Sequence, residues 1–141
     1  MAVKKYFMEV VILLLVSLIL LQSCVKKNAI ENLTPAEAFE QAETLFKKGK
    51  FLEAEEIYKQ IKDFFPYSSY AIKAELRLGD LYYKQKNYDL AVQQYSSFRE
   101  LHPSHESIPY VTFKIGMCYY QQILSPDRDQ YYTRMAIREF S

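Results

Sequence analysis

FEQAETLFKKGKFLEAEEIYKQIKDFFP at residues 39–66 and LRLGDLYYKQKNYDLAVQQYSSFRELHP at residues 76–103 are one pattern written twice, 37 residues apart. FKIGMCYY at 113–120 starts a third copy. Ala42, Gly79 and Gly116 share a column, as do Phe39, Leu76 and Phe113, then Leu45, Tyr82 and Tyr119, then Phe46, Tyr83 and Tyr120. Further along, Phe51 matches Tyr88, Ala54 matches Ala91, Tyr58 matches Tyr95, Ile61 matches Phe98, and Pro66 matches Pro103. A fixed period of this size marks a repeat architecture. Within each copy the apolar residues fall at three- and four-residue steps, the period of a helix.

The spacing predicts helices near 35–48, 52–64, 70–86, 89–101, 108–123 and 132–141. Gly49 and Asn87 fall at the breaks, where a left-handed cap suits them. Thr34, Pro35 and Glu37 combine a capping hydroxyl, a first-turn proline and a glutamate three residues after the cap, which marks a helix start. Small residues at Ala42, Gly79 and Gly116, with Ala54 and Ala91 on the second helix, imply close packing of each helical pair, because a mid-helix glycine otherwise costs up to about 1 kcal/mol against alanine. The third copy departs. Gly79 to Ala91 spans 12 residues and Gly116 to Ala136 spans 20, so a turn containing Ser125 to Gln130 is inserted. The helix reaching Ser141 has no capping signal, and a solenoid needs a polar cap, so the array reads as a fragment.

Outward from the repeats, the N-terminus changes character. Lys4 and Lys5 precede VVILLLVSLILL at 10–21, and LQSC at 21–24 follows. The apolar run has 12 residues, whereas a spanning helix needs roughly 20. A longer signal anchor starting near Tyr6 would contain Glu9, at a cost of about 2.5–3.5 kcal/mol if central. The layout is that of a cleaved signal peptide. Residues 1–23 are the signal, 24–34 a polar tether, and 35–141 the repeats, divided 35–68, 69–105 and an incomplete 106–141.

Composition narrows the function. The chain has 141 residues, 18 Lys+Arg and 17 Asp+Glu. Without residues 1–23, which hold Lys4, Lys5 and Glu9, 16 cations face 16 anions. No basic stripe for nucleic acid is visible. Three glycines are too few for a phosphate loop, and no nucleophile, base and orienting group can be assembled. The chain reads as an interaction module and not as an enzyme, with no cofactor. His102 and His105 are three apart with no further ligand nearby, which suits a solvated loop better than a metal site. Cys118 reads as a small buried hydrophobe.

Tyr88, Ala91, Tyr95 and Pro103, with the small-residue column, resemble the tetratricopeptide repeat, although its usual period is 34. Other helical-hairpin repeats fit less of this column. LQSC resembles the lipobox of bacterial lipoproteins, with Gln22 a less usual occupant. That resemblance implies acyl chains on Cys24, palmitate among them, and two or more chains anchor stably. Val25, in place of the aspartate that retains many lipoproteins at the inner membrane, points to the outer membrane. A lipoprotein signal followed by residues 64–103, then IPYVTFKIGMCYYQQI and the DRDQ insertion, resembles the BamD (ComL) family of outer-membrane assembly lipoproteins.

The family resemblance implies an all-α solenoid, anchored at the periplasmic face of the outer membrane, that serves the β-barrel assembly machinery. Its N-terminal repeats are expected to receive unfolded outer-membrane proteins. Its C-terminal repeats, missing here, are expected to dock on the barrel subunit and smaller lipoproteins. By analogy with tetratricopeptide arrays, one stripe of each first helix lines a concave groove: Phe39, Glu43 and Phe46, then Leu76, Asp80 and Tyr83, then Phe113, Met117 and Tyr120. Helical periodicity fits burial between repeats equally well. Lys47 and Lys84, each beside a groove aromatic, suit a client's terminal carboxylate, or are simply solvated. Asp127, Arg128, Asp129 and Gln130 form the inserted turn; its charges pair with one another or with water, or dock on a neighbouring subunit. A periplasmic scaffold for cell-envelope or peptidoglycan proteins is the competing function.

Overall fold

The structure is a computed structural model and describes residues 30–141. The chain divides into two units, Met1–Glu31 and Asn32–Ser141, and the second is the repeat array. The apolar run, the signal peptide, Cys24 and most of the tether lie outside the described residues.

Among the described residues there are six α-helices and no strand. They are α1 (Pro35–Lys47), α2 (Phe51–Phe64), α3 (Ser69–Lys84), α4 (Tyr88–Leu101), α5 (Ile108–Tyr120) and α6 (Tyr131–Phe140). Each helix packs chiefly on its neighbours in sequence, and α1 also touches α3. The chain is therefore an all-α array of helical hairpins of the tetratricopeptide type. α1 starts on a capping box: the Glu37 N–H donates to Thr34 Oγ1 at 3.3 Å, and the Thr34 N–H donates to Glu37 Oε2 at 2.8 Å.

The two tight turns follow one geometry. Gly49 has φ +74°, its N–H donates to Phe46 O, and the Lys50 N–H donates to Leu45 O. One period later Lys86 has φ +60°, its N–H donates to Tyr83 O, and the Asn87 N–H donates to Tyr82 O. These paired bonds satisfy the last carbonyls of each first helix and require a left-handed residue. The left-handed position of the second turn is thus Lys86, not Asn87. Asn87 instead caps α4, with Oδ1 accepting from the Leu90 N–H at 3.4 Å. The third first-helix also ends earlier than its apolar pattern suggests. α5 stops at Tyr120, and its last carbonyls bond to the N–H groups of Gln121, Gln122 and Ile123 in a turn that opens the inserted loop.

The small-residue column has its cause in ring packing. A Cβ on Gly79 would lie 2.5 Å from Cε1 of Tyr95, and one on Gly116 would press into the ring of Phe140 even more closely. Ala38, Ala42, Ala54, Ala74 and Ala91 are completely buried. Around them Tyr58, Ile61, Leu78, Leu81, Tyr95, Phe98, Val111 and Ile115 fill the core. Cys118 belongs to the same cluster, as a free thiol.

Gly79→Ala should lower stability by about 1–3 kcal/mol, because the Tyr95 ring is buried and cannot swing aside. A urea midpoint that does not move would dissociate the glycine column from helix packing. Lys86→Gly should act in the opposite direction. It removes a left-handed cost of about 1 kcal/mol, so the midpoint should rise with the slope of the transition unchanged.

Candidate functional site

The first helices α1, α3 and α5 supply one continuous face, and its centre is charged. Arg77 on α3 reaches back one unit: Nε lies 2.8 Å from Glu43 Oε1, and an Nη donates to Glu43 Oε2 at 3.1 Å. The same guanidinium donates to Asp80 Oδ2 at 3.0 Å. Asp80 Oδ1 accepts from Tyr95 Oη at 2.7 Å and from Tyr110 Oη, on α5, at 2.6 Å. Tyr58 Oη donates to Glu43 Oε1 at 2.6 Å. Six residues from five helices are thereby joined. Asp80 is almost fully buried, which is tolerable only because its oxygens are bonded and a cation faces them.

The network repeats with the chain. Tyr58–Glu43 and Tyr95–Asp80 are the same bond one period apart. In the third unit the acid's place is taken by Met117 and the tyrosine's by Phe140. Acid and hydroxyl are lost together, so neither is left buried without a partner. α6 is held by a different pair, Arg99 to Glu139 at 2.7 Å.

Two cavities flank the Arg77–Asp80 pair. The larger, about 480 Å³, is lined by Phe39, Ile72, Lys73, Leu76, Tyr110 and the loop His105–Ser107. The smaller, about 130 Å³, is lined by Phe46, Tyr83, Lys84, Tyr110 and Lys114. Arg77 and Asp80 border both. Lys114 Nζ sits 3.2 Å from the centre of the Tyr83 ring, a cation–π contact. Burial holds the Lys114 ammonium below its ordinary pKa, against the pull of Asp80. Lys84 and Lys114 have no carboxylate partner at ion-pair distance among the described residues.

The sequence-predicted groove residues separate into three groups. Phe39 and Leu76 meet in the larger cavity, with Phe39 packed on the rings of Tyr58 and Tyr70 at 5.8 and 5.6 Å. Phe46, Tyr83 and Lys84 meet in the smaller one. Phe113 and Tyr120 are more than half exposed and line neither; Phe113 rests on Phe140. Lys47, next to Phe46, is exposed and stands outside both cavities. Arg77, Tyr110 and Lys114 line these cavities although the sequence pattern did not single them out. Two of them carry a signal there all the same, since Arg77 and Lys114 stand 37 apart, each one residue after the stripe positions Leu76 and Phe113.

Two loop expectations change. His102 and His105 do not sit in a solvated loop. Both are half-buried with their rings against Phe98, and His102 Nε2 lies 2.6 Å from Glu75 Oε2. The Glu75 carboxylate also faces Lys62 of α2, so this end of α4 is tied to both preceding helices. In the inserted turn, the charges do not pair with one another. Asp129 Oδ1 accepts from the Tyr131 N–H at 3.0 Å and faces Arg134 at 3.7 Å. Gln130 Nε2 donates to the carbonyls of Ser125 and Arg128 and closes the turn. Asp127 is held below the usual carboxylate range by its bond to Ser125.

The fold is a helical-hairpin array of the tetratricopeptide class, with an aromatic, partly charged face on its first helices. Residues 31–141 match the family YfiO, outer membrane lipoprotein. The outer membrane protein assembly factor BamD of Xylella fastidiosa (strain Temecula1) is 32% identical over 107 residues, covering 74% of this chain and 36% of that protein. The factor of the same name from Vibrio cholerae is 26% identical over 109 residues, covering 77% and 45%. That of Neisseria meningitidis serogroup B is 25% identical over 121 residues, covering 84% and 45%. The chain belongs to the YfiO family of outer membrane lipoproteins, the family of the BamD factors. It spans less than half the length of these relatives.

The buried hydroxyls set the alkaline limit of the fold. Burial, then the Glu43 bond, raises the pKa of Tyr58 above the ordinary 10.0. Burial and Asp80 do the same for Tyr95 and Tyr110. Burial pushes the Cys118 thiol up to about 12. Above pH 10 the unfolded chain has lost protons that the native state keeps, so stability falls as pH rises. The hydroxyls contribute fully below 10.0, and the thiol below its own ordinary value of 9.0. Tyrosinate absorbance should therefore appear in two steps, the exposed tyrosines first and the buried ones only together with unfolding. A single smooth titration with the helical signal intact would contradict the network.

Proposed function

We propose that this chain is a lipid-anchored periplasmic subunit of the β-barrel assembly machinery that binds unfolded outer-membrane proteins along the groove of its first helices. Acyl chains on Cys24 hold it to the outer membrane after residues 1–23 are removed. The observation that carries the reading is the pair of cavities on either side of Arg77–Asp80, in a chain whose relatives are named outer membrane protein assembly factors.

The chemistry of such clients fits that arrangement. Strands of outer-membrane barrels alternate apolar and polar residues and carry aromatic girdles. An unfolded client presents this alternation as an extended chain. Phe39 and Leu76 offer apolar contact on one side of the ridge, and Phe46 and Tyr83 on the other. Tyrosine adds rigid contact area at small entropic cost. Lys84 and Lys114 favour a carboxylate at the smaller cavity, and Lys114, already partly desolvated, is the stronger of the two. The inserted turn, with Asp127, Arg128 and Asp129 exposed, offers charged contacts to a neighbouring subunit.

Peptides ending in an aromatic residue with a free carboxylate should bind the protein. Tyr83→Ala and Lys114→Ala should each weaken binding at least about fivefold, the scale of an anchor worth about 1 kcal/mol. The helical signal and melting point must be retained for the comparison to count. Peptides with and without the terminal aromatic binding equally would favour the scaffold reading.

A further inference from the structure

We propose that Arg77 reads the backbone of the client: its guanidinium donates hydrogen bonds to peptide carbonyls where an extended chain crosses from one cavity to the other. This inference deepens the functional reading above and rests on it.

Three residues, Arg77, Asp80 and Tyr110, border both cavities. A chain that occupies both must pass over them. Two of the three have no donor to offer. Asp80 Oδ1 accepts from Tyr95 and Tyr110 and Oδ2 accepts from Arg77, and a carboxylate only accepts. The Tyr110 hydroxyl proton is directed at Asp80. Arg77 differs, because a guanidinium carries five N–H groups in a planar fork. Its Nε faces Glu43 Oε1, one N–H of Nη2 goes to Glu43 Oε2, and one N–H of Nη1 goes to Asp80 Oδ2. One N–H on each Nη is left over. The side chain is 39% exposed even while both acids hold it, so these donors are within reach of a ligand.

A passing backbone finds little else to bond with. The first helices use their own N–H and C=O groups internally, and there is no strand edge among the described residues to extend. An unfolded chain that enters the groove gives up water at its carbonyls and needs a donor in return. A cationic donor makes the stronger bond. Glu43 and Asp80 also fix the guanidinium beforehand, so little of its freedom is lost on binding. The cavity walls set the length to be crossed. Phe39 to Phe46 and Leu76 to Tyr83 are each seven residues, two helical turns, or about 10.5 Å. An extended chain covers that in roughly three residues.

Carbonyls are common to every residue, so this contact is indifferent to the side chains between the two apolar anchors. It is not indifferent to conformation. A carbonyl in a helix or a paired strand is already bonded. Arg77 thereby favours a segment that has not yet folded, whatever its sequence.

The test uses the full chain and a short peptide ending in phenylalanine with a free carboxylate. Peptide units of the ligand are replaced one at a time, by thioamides in one series and by esters in another. Both replacements weaken the carbonyl as an acceptor, and only the ester removes the N–H. Calorimetric titration should show a loss of at least about fivefold in both series at one or two of the roughly three units preceding the terminal residue, and less than about twofold elsewhere. In Arg77→Lys, which keeps the charge between Glu43 and Asp80 but not the fork, the loss at those units should shrink to within about twofold. The wild-type series decides the matter even if that variant does not fold. A flat profile in a peptide that binds overturns the proposal and leaves the functional reading standing. A loss in the ester series alone, or an undiminished loss in folded Arg77→Lys, overturns it too. Failure of the unmodified peptide to bind refutes the functional reading, and the proposal with it.

Discussion

Everything in the array depends on how closely a first helix can approach the second helix of its own pair. At Gly79 and Gly116 the backbone of one helix lies directly against a ring of the other, at a distance no Cβ would permit. That contact seats Tyr95 deep in the hairpin, and its depth decides where the hydroxyl emerges. The hydroxyl comes out at the groove face, within 2.7 Å of Asp80. A wider hairpin would leave the Tyr95 hydroxyl buried without a partner, at a cost of about 1–3 kcal/mol. Tight packing and the polar floor of the groove are thus one constraint seen from two sides.

The link between units is polar where the link within a unit is steric. Arg77 holds the acid of the preceding unit and the acid of its own, and Tyr110 returns from the following unit to the same carboxylate. An arginine suits this role because its planar fork can serve two carboxylates at once. On the outer side, Glu55 accepts from Tyr82 and pairs with Lys59, and Glu75 joins Lys62 to His102. These bonds are partly exposed and weaker individually; Tyr82–Glu55 and Lys62–Glu75 cross from the first unit to the second, and His102–Glu75 lies within the second.

Much of this is legible in the residues. The period of 37 contains the fold, because columns of small residues between columns of aromatics suit paired helices in close contact and little else. The capping box at Thr34 is equally plain. The left-handed turn residue is harder to place. Asn87 looks a better candidate than Lys86, yet the hydrogen-bond pattern of the preceding helix decides, and composition does not show it. The histidines at 102 and 105 are hidden for a similar reason. Their partners, Glu75 and Phe98, are supplied by helices that pack against the loop. In the groove, the aromatics are visible as a stripe, but Arg77 and Tyr110 lie at helix positions that matter only once three units are stacked.

Asp80 has three partners in three different parts of the array, which gives the groove a property beyond recognition. A ligand that draws Arg77 toward itself must take it from Glu43 and Asp80. The loss is then felt at Tyr95 inside its own hairpin and at Tyr110 in the next. A segment that supplied a carboxylate in place of Glu43 would keep the cation satisfied while releasing the preceding unit. One arginine thereby ties three consecutive units to a single polar knot, with Glu43, Asp80 and, through Asp80, Tyr110 as its ends.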